Sequence, residues 1–273
     1  MATAPTLVAK YGPWALVTGA SSGMGEQFAR RLARAGFSLL MVARRAERLR
    51  VLEQELGRRR RIEVVGLAED LADRAALDRI AAAAAERDVG LIVSNAGFGL
   101  KGPFERSDRA KVESMFDTNA RAPLILLHTL LPGLLKRGKG GIILTGSIEG
   151  EAPFPWSSAY AATKAFIHSL GLSLSGELAG TGIDLLVHEP GATDTEALVL
   201  QGFSKATLPG LMTPEEVAKQ ALAQLGRTPL HIPGKDNRKF VSTMRRMPKQ
   251  RLVEFNAANM AGALAASGQS VKR

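Results

Sequence analysis

The chain has 273 residues, of which 45% are hydrophobic and 23% charged, an ordinary globular composition with length enough for a large core. It contains no cysteine, which excludes disulfides, thiolate metal sites and cysteine nucleophiles. The unusual figure is a net charge of +10, which taken alone suggests nucleic acid, anionic lipid or a phosphorylated ligand. That charge is local: residues 44–62 carry +5 and residues 235–273 carry +7. Such clustering suits a local anionic ligand or a tail-borne interface better than a uniformly charged surface. Residues 1–10 lack a charged-then-apolar leader pattern, and the longest apolar run, 124–135, is broken by His128, Pro132 and Gly133. No membrane span is therefore expected, and the expected location is cytoplasmic.

Short apolar runs bounded by turn residues occur at 14–18, 38–42, 62–65, 91–94, 142–144 and 183–188, and read as strands buried on both faces of a parallel sheet. Amphipathic stretches lie between them. Residues 26–35 and 45–56 carry apolar side chains at helical spacing, and 73–86 is alanine-rich. Residues 111–136 read as two helices broken near Ala122 and Pro123. Residues 160–178 and 217–225 complete the set, the last preceded by a Thr213-Pro214-Glu215-Glu216 start signal. The alternation implies an α/β fold, a doubly wound parallel sheet in a single domain over residues 1–234. Residues 235–273 are expected to be a basic helical extension packed on or flanking it, fraying beyond residue 260.

The first strand runs into Thr18-Gly19-Ala20-Ser21-Ser22-Gly23-Met24-Gly25 and then a helix. Glycines here permit a tight turn and close approach of backbone to a pyrophosphate, which the helix N-terminus attracts. About 20 residues on, where a dinucleotide fold meets the adenosine ribose, stand Arg44 and Arg45 rather than a carboxylate. A guanidinium pair favours a 2′-phosphate by charge and bidentate geometry, so NADP(H) is the expected cofactor. Tyr160 and Lys164, one helical turn apart, face the same side; an ammonium favours the phenolate, and the pair can then exchange a proton with a carbonyl or alcohol oxygen. The four histidines show no ligand spacing, and no catalytic metal is expected.

The T-G-x-x-x-G-x-G turn with this Tyr–Lys pair resembles the classical short-chain dehydrogenase/reductase family, over roughly residues 11–235, and so implies a Rossmann-type fold. The resemblance implies a tetrad of Asn119, Ser147, Tyr160 and Lys164. It further implies cofactor contacts from Asp70 and Leu71, from Asn95-Ala96-Gly97, and from Pro190-Gly191 with Thr193 and Thr195. Two positions depart from the family pattern: Ser94 replaces the first asparagine of its N-N-A-G turn, and Gly146 the first of its two serines. Glu189 and Asp194 have no account from sequence. The implied activity is NADP(H)-dependent hydride transfer between nicotinamide and a carbonyl or secondary alcohol. The substrate is expected to be apolar (a ketone, 3-oxoacyl compound or steroid-like molecule), given Phe154, Trp156 and the apolar residues of 192–212. A homo-oligomer, dimer or tetramer, joined through 111–136 and 160–178 is also implied. Two alternatives stay open: a cofactor-binding regulator with reduced turnover, and a tail that binds nucleic acid or a membrane surface, of which nucleic acid is the less expected.

Overall fold

In the computed structural model, residues 6–58, 62–203 and 210–268 are described. Seven parallel strands form one sheet in the order β3-β2-β1-β4-β5-β6-β7. They are β1 (Trp14–Thr18), β2 (Ser38–Ala43), β3 (Val64–Ala68), β4 (Val89–Ser94), β5 (Gly140–Thr145), β6 (Ile183–His188) and β7 (Leu230–His231). The first six match the apolar runs to within a few residues. The seventh, two residues paired in parallel with the end of β6, is too short to leave a period in the sequence. β1, β2, β4 and β5 are almost wholly buried, as a sheet covered on both faces requires.

One face packs under α1 (Leu7–Tyr11), α2 (Gly23–Arg34), α3 (Ala46–Gly57) and α9 (Pro214–Gln224), with Phe28, Leu32, Phe37, Met41 and Leu222 in its core. The other packs under α4 (Arg74–Ala85), α5 (Arg109–Phe116), α6 (Ala122–Arg137) and α7 (Ser158–Glu177), around Leu77, Ile80, Leu126, Ile142 and Ile167. The two-helix expectation for 111–136 needs a correction. α5 and α6 are joined by a π-helical turn, Asp117–Arg121, without a break at Pro123. Pro123 sits in the first turn of α6 and has no N–H for the carbonyl of Asn119, and the wider turn takes up the interruption.

A third cluster lies outside the sheet. α8 (Glu196–Leu200), α10 (Lys235–Arg245) and α11 (Lys249–Ala266) contribute Leu198, Val241, Met244, Leu252, Met260 and Leu264, which pack with Phe154 and Phe203. The apolar stripe of the basic tail is thus spent within the chain. α11 also runs to Ala266 rather than fraying after residue 260, because Met260 and Leu264 anchor its last turns. Among the described residues, no helix is long and apolar enough to cross a membrane.

Candidate active site

The strand order reverses between β1 and β4, so their carboxyl ends open a crevice where α/β sheets bind ligands. Side chains tie this crevice together. Thr18 Oγ1 accepts from the backbone N–H of Asn95 (3.0 Å) and of Ala96 (3.1 Å), while Asn95 Nδ2 donates to the Thr18 carbonyl (3.3 Å). Gly25 is where glycine is required: a Cβ would lie 2.1 Å from the Gly19 carbonyl oxygen. Gly19 itself has φ +70°, and a Cβ there would come within 2.9 Å of Ala96 Cα. The N-cap of α2, Ser22, makes no side-chain capping bond, so that helix start keeps free N–H groups for an anion.

Arg45 lies over this turn, donating to Ser21 Oγ (3.2 Å), Ser22 Oγ (2.6 Å) and Glu196 (2.7 Å); Arg48 also reaches Glu196 at 2.7 Å. Arg44 is exposed and forms no hydrogen bond or ion pair among the described residues. The two arginines therefore differ: one clasps the glycine turn to α8, the other is available. Asp70 Oδ1 accepts from the Ala72 N–H at 3.0 Å, and Leu71 is buried beside it. The uncapped helix start, the glycine cradle and the uncommitted Arg44 fit a dinucleotide with a charged ribose.

A cavity of about 270 Å³ opens at the crevice. Met24, Asn95, Gly97, Pro190, Gly191, Thr193 and Thr195 line its inner side with Ser147, Tyr160 and Lys164. Phe98, Ile148, Phe154, Leu198, Phe203 and Met260 form its apolar side. Of the apolar residues of 192–212, Ala192, Ala197, Leu198 and Phe203 line it, whereas Val199 and Leu200 face solvent and Leu211 packs on the third cluster. Leu208 falls outside the described residues, as do Arg59, Arg60 and Arg61 of the basic stretch. Arg44, Arg45, Asp70 and Leu71 do not line the cavity; they follow the crevice outward toward β2 and β3.

Ser147 follows β5, and its Oγ accepts from the Glu149 N–H (3.2 Å); its hydroxyl shares the cavity wall with Tyr160. Lys164 is buried, donates to the Thr145 carbonyl at 2.8 Å and has its Nζ 5.8 Å from the Tyr160 ring centre. Burial pulls Lys164 down to about 8, against the upward pull of Glu189 and Glu149. Tyr160 moves the other way from the expectation. Burial first, then the Glu149 charge, hold its phenol well above the ordinary range, against a downward pull from Ser147. Desolvation dominates, so Tyr160 stays protonated.

Asn119 lies in the π-helical turn, 1% exposed. Its side chain is spent on the backbone of Phe98, accepting from the N–H at 3.1 Å and donating to the carbonyl at 2.8 Å, and on Thr163 Oγ1, to which it donates at 3.1 Å. It does not line the cavity but stands behind Gly97, where a Cβ would lie 3.0 Å from Asn119 Oδ1 and 3.4 Å from Lys164 Nζ. Thr193 Oγ1 donates to the Gly191 carbonyl (3.1 Å), and Thr195 is the N-cap residue of α8 beside Gly23.

The roles of several residues could not be read from the sequence. Glu189, 0% exposed, holds His168 Nδ1 at 2.7 Å, and its burial drives its carboxyl up, while the bond to Glu189 raises His168. Glu151 stands beside this pair and is held by Arg245 of α10. Glu189 also explains the Gly146 departure: a Cβ at 146 would lie 2.9 Å from Glu189 Cγ. Asn237 of α10 abuts Gly191, and Asn256 of α11, 0% exposed, donates to the Pro153 carbonyl at 2.9 Å. The tail therefore covers the cavity and touches both loops that frame it.

A parallel sheet with its crevice at the β1/β4 reversal, and a serine, tyrosine and lysine on one cavity wall, define a nucleotide-binding oxidoreductase architecture. The family model for short chain dehydrogenases matches residues 13–201, and the chain belongs to the short-chain dehydrogenase/reductase family of oxidoreductases. It is 30% identical over 245 residues to a 7β-hydroxysteroid dehydrogenase of Clostridium sardiniense, covering 89% of this chain and 94% of that protein. A solved structure bearing on 7β-hydroxysteroid dehydrogenase stereoselectivity superposes with TM-score 0.84 at 28% identity, covering 92% of this chain and 99% of that one. A short-chain dehydrogenase from Sphingobium yanoikuyae, solved in complex with NADPH, gives TM-score 0.78 at 32% identity, covering 87% and 96%.

Proposed function

We propose that the protein is an NADP(H)-dependent carbonyl reductase or alcohol dehydrogenase acting on an apolar ketone or the corresponding secondary alcohol. The observation that carries this reading is the cavity, where the Ser147 and Tyr160 hydroxyls meet a wall built from Phe98, Phe154, Leu198 and Phe203. NADP(H) is supported by the uncommitted Arg44 and by the NADPH complex of the Sphingobium relative. A steroid-sized substrate would accord with the hydroxysteroid dehydrogenase likeness.

The cofactor, when bound, supplies or accepts the hydride. Ser147 hydrogen-bonds the carbonyl oxygen and holds it beside Tyr160. Tyr160, kept protonated by burial, gives its proton to that oxygen as the alcohol forms. Lys164 sits beside the ring, its pKa pulled down to about 8 by burial, and can return a proton to the phenolate. Asn119 fixes the Phe98 segment behind Gly97 and keeps the Lys164 side of the site in register. The apolar wall excludes water from the reacting oxygen.

The test is NADPH oxidation against a panel of ketones and aldehydes of graded size, with Tyr160→Phe as control. Turnover should fall at least about 10²–10⁴-fold in that variant, the range for a lost general acid, with NADPH affinity retained. Retention of most activity would refute the mechanism. The chain is further inferred to self-associate through the α5–α6 face, where Phe116, Leu124 and Ile125 are exposed. Light scattering of wild type and of Phe116→Glu would test this, a monomeric wild type being the negative result.

A further inference from the structure

One buried cluster belongs to none of the motifs above. Lys101, in the loop after β4, has a side chain only 1% exposed. Its Nζ donates to both oxygens of Glu149 (2.7 and 2.6 Å) and to Ser157 Oγ (2.7 Å). The Ser157 hydroxyl in turn donates to Glu149, closing the triangle. The same Nζ lies 4.5 Å from the Tyr160 ring centre, nearer than Lys164 Nζ at 5.8 Å. Glu149 reaches the site as well, through its backbone N–H on Ser147 Oγ.

Taking an ammonium and a carboxylate out of water is costly for each ion. As a structural device this pair is therefore a poor choice, since apolar residues of like volume would serve at least as well. Its position gives it another use. A cation over a tyrosine face is held by the ring, and held more strongly once the ring is a phenolate. A carboxylate nearby acts with the opposite sign, and Glu149 pushes the Tyr160 phenol upward. The charged groups around Tyr160 are thus Lys164 from α7 and Lys101 from the loop after β4, both beside the ring, and Glu149 from the turn after β5. Glu189, at the end of β6, acts on Lys164, and Glu151, His168 and Arg245 act on Glu189 and one another.

We propose that Lys101 and Glu149 are a positioning pair that sets the proton affinity of Tyr160, Lys101 lowering it from the ring face and Glu149 offsetting that cation. The inference rests on Tyr160 as the proton donor, so its test uses a readout that does not need turnover. The chain has two tyrosines. Protein labelled at tyrosine Cζ therefore gives two carbon resonances, and Tyr160→Phe assigns the one that matters. Its titration is followed with NADP⁺ bound in wild type, Glu149→Gln, Lys101→Met and the double variant. The midpoint should fall by about one pH unit in Glu149→Gln and rise by about one unit in Lys101→Met. In the double variant it should return close to wild type. The pH dependence of kcat/KM for alcohol oxidation should move in step, about tenfold at a fixed pH below the limb. Should Lys101→Met not fold, Glu149→Gln decides alone, since glutamine keeps the shape and one of the two acceptor oxygens while removing the charge. A midpoint that does not move in Glu149→Gln, or that moves the same way in both single variants, overturns the proposal. If Tyr160→Phe remains inactive in that case, the reading of Tyr160 stands without it.

Discussion

Leu264→Ala separates the substrate side of the site from the cofactor side. Leu264 is 0% exposed in the third cluster and lies one helical turn beyond Met260, which lines the cavity; Leu264 itself does not. The substitution deletes three carbons, so the transfer loss is about 2.4 kcal/mol and the total with the residual cavity about 2–5 kcal/mol. That cluster is distinct from the two that cover the sheet, so the loss should fall on the docking of α11. At about 1.4 kcal/mol per factor of ten, even part of this loss raises KM for an apolar ketone about tenfold. NADPH affinity should change less than about twofold, because the glycine turn and Arg44 lie on the other side of the crevice. Steady-state kinetics and NADPH fluorescence titration give the two constants, and amide exchange of residues 249–266 against β1–β6 locates the loosening. Uniformly faster exchange through the sheet, with KM and NADPH Kd rising together, would refute the division.

Arg44→Ala should weaken NADPH binding about 10–100-fold and leave NADH binding nearly unchanged, the measure of a lost charge-assisted contact to a 2′-phosphate; equal losses for both cofactors would refute that role. Gly25→Ala should abolish NADPH binding, because its Cβ would lie 2.1 Å from a backbone oxygen that cannot swing away; calorimetric titration of the folded variant checks it. His188 is buried against His231, ring centres 5.4 Å apart, and burial lowers its pKa from 6.5 to about 3. The fold holds it neutral, so below about pH 6.5 the unfolded chain binds the extra proton and stability falls as pH drops toward 3, by up to about 1.4 kcal/mol per unit. His188→Gln should flatten that acid limb in a series of thermal melts, and an unchanged slope would count against it.

What could be read from the sequence depended on whether a signal is local. The six long strands announce themselves because burial on both faces demands continuous apolar runs. The glycine turn is legible because only glycine fits where Gly25 meets the Gly19 carbonyl. The Tyr160–Lys164 pair is legible because one helical turn separates them. The ion pairs that surround this core are not legible, because topology rather than spacing joins them: Lys101 to Glu149, and Glu151 to Arg245, each bridge different elements. Gly146 shows the limit most clearly. In sequence it is a missing serine; in space it is room for Glu189.

The same distinction resolves the charge. In the 44–62 stretch, Arg45 and Arg48 are spent on Ser21, Ser22 and Glu196, which leaves Arg44 exposed at the mouth of the crevice. In the tail, Arg245 holds Glu151 and Arg238 donates to the Ile232 carbonyl, while Lys235, Lys239, Arg246, Lys249 and Arg251 are exposed. A basic amphipathic helix needs its apolar face to enter a bilayer. Here that face already roofs the cavity, so membrane insertion would have to undock Val241, Met244 and Leu264 and open the site. The exposed cations are then the solvated side of a helix pair whose buried side shapes the cavity. Any anionic surface that drew the tail off would uncover the cavity at the same time.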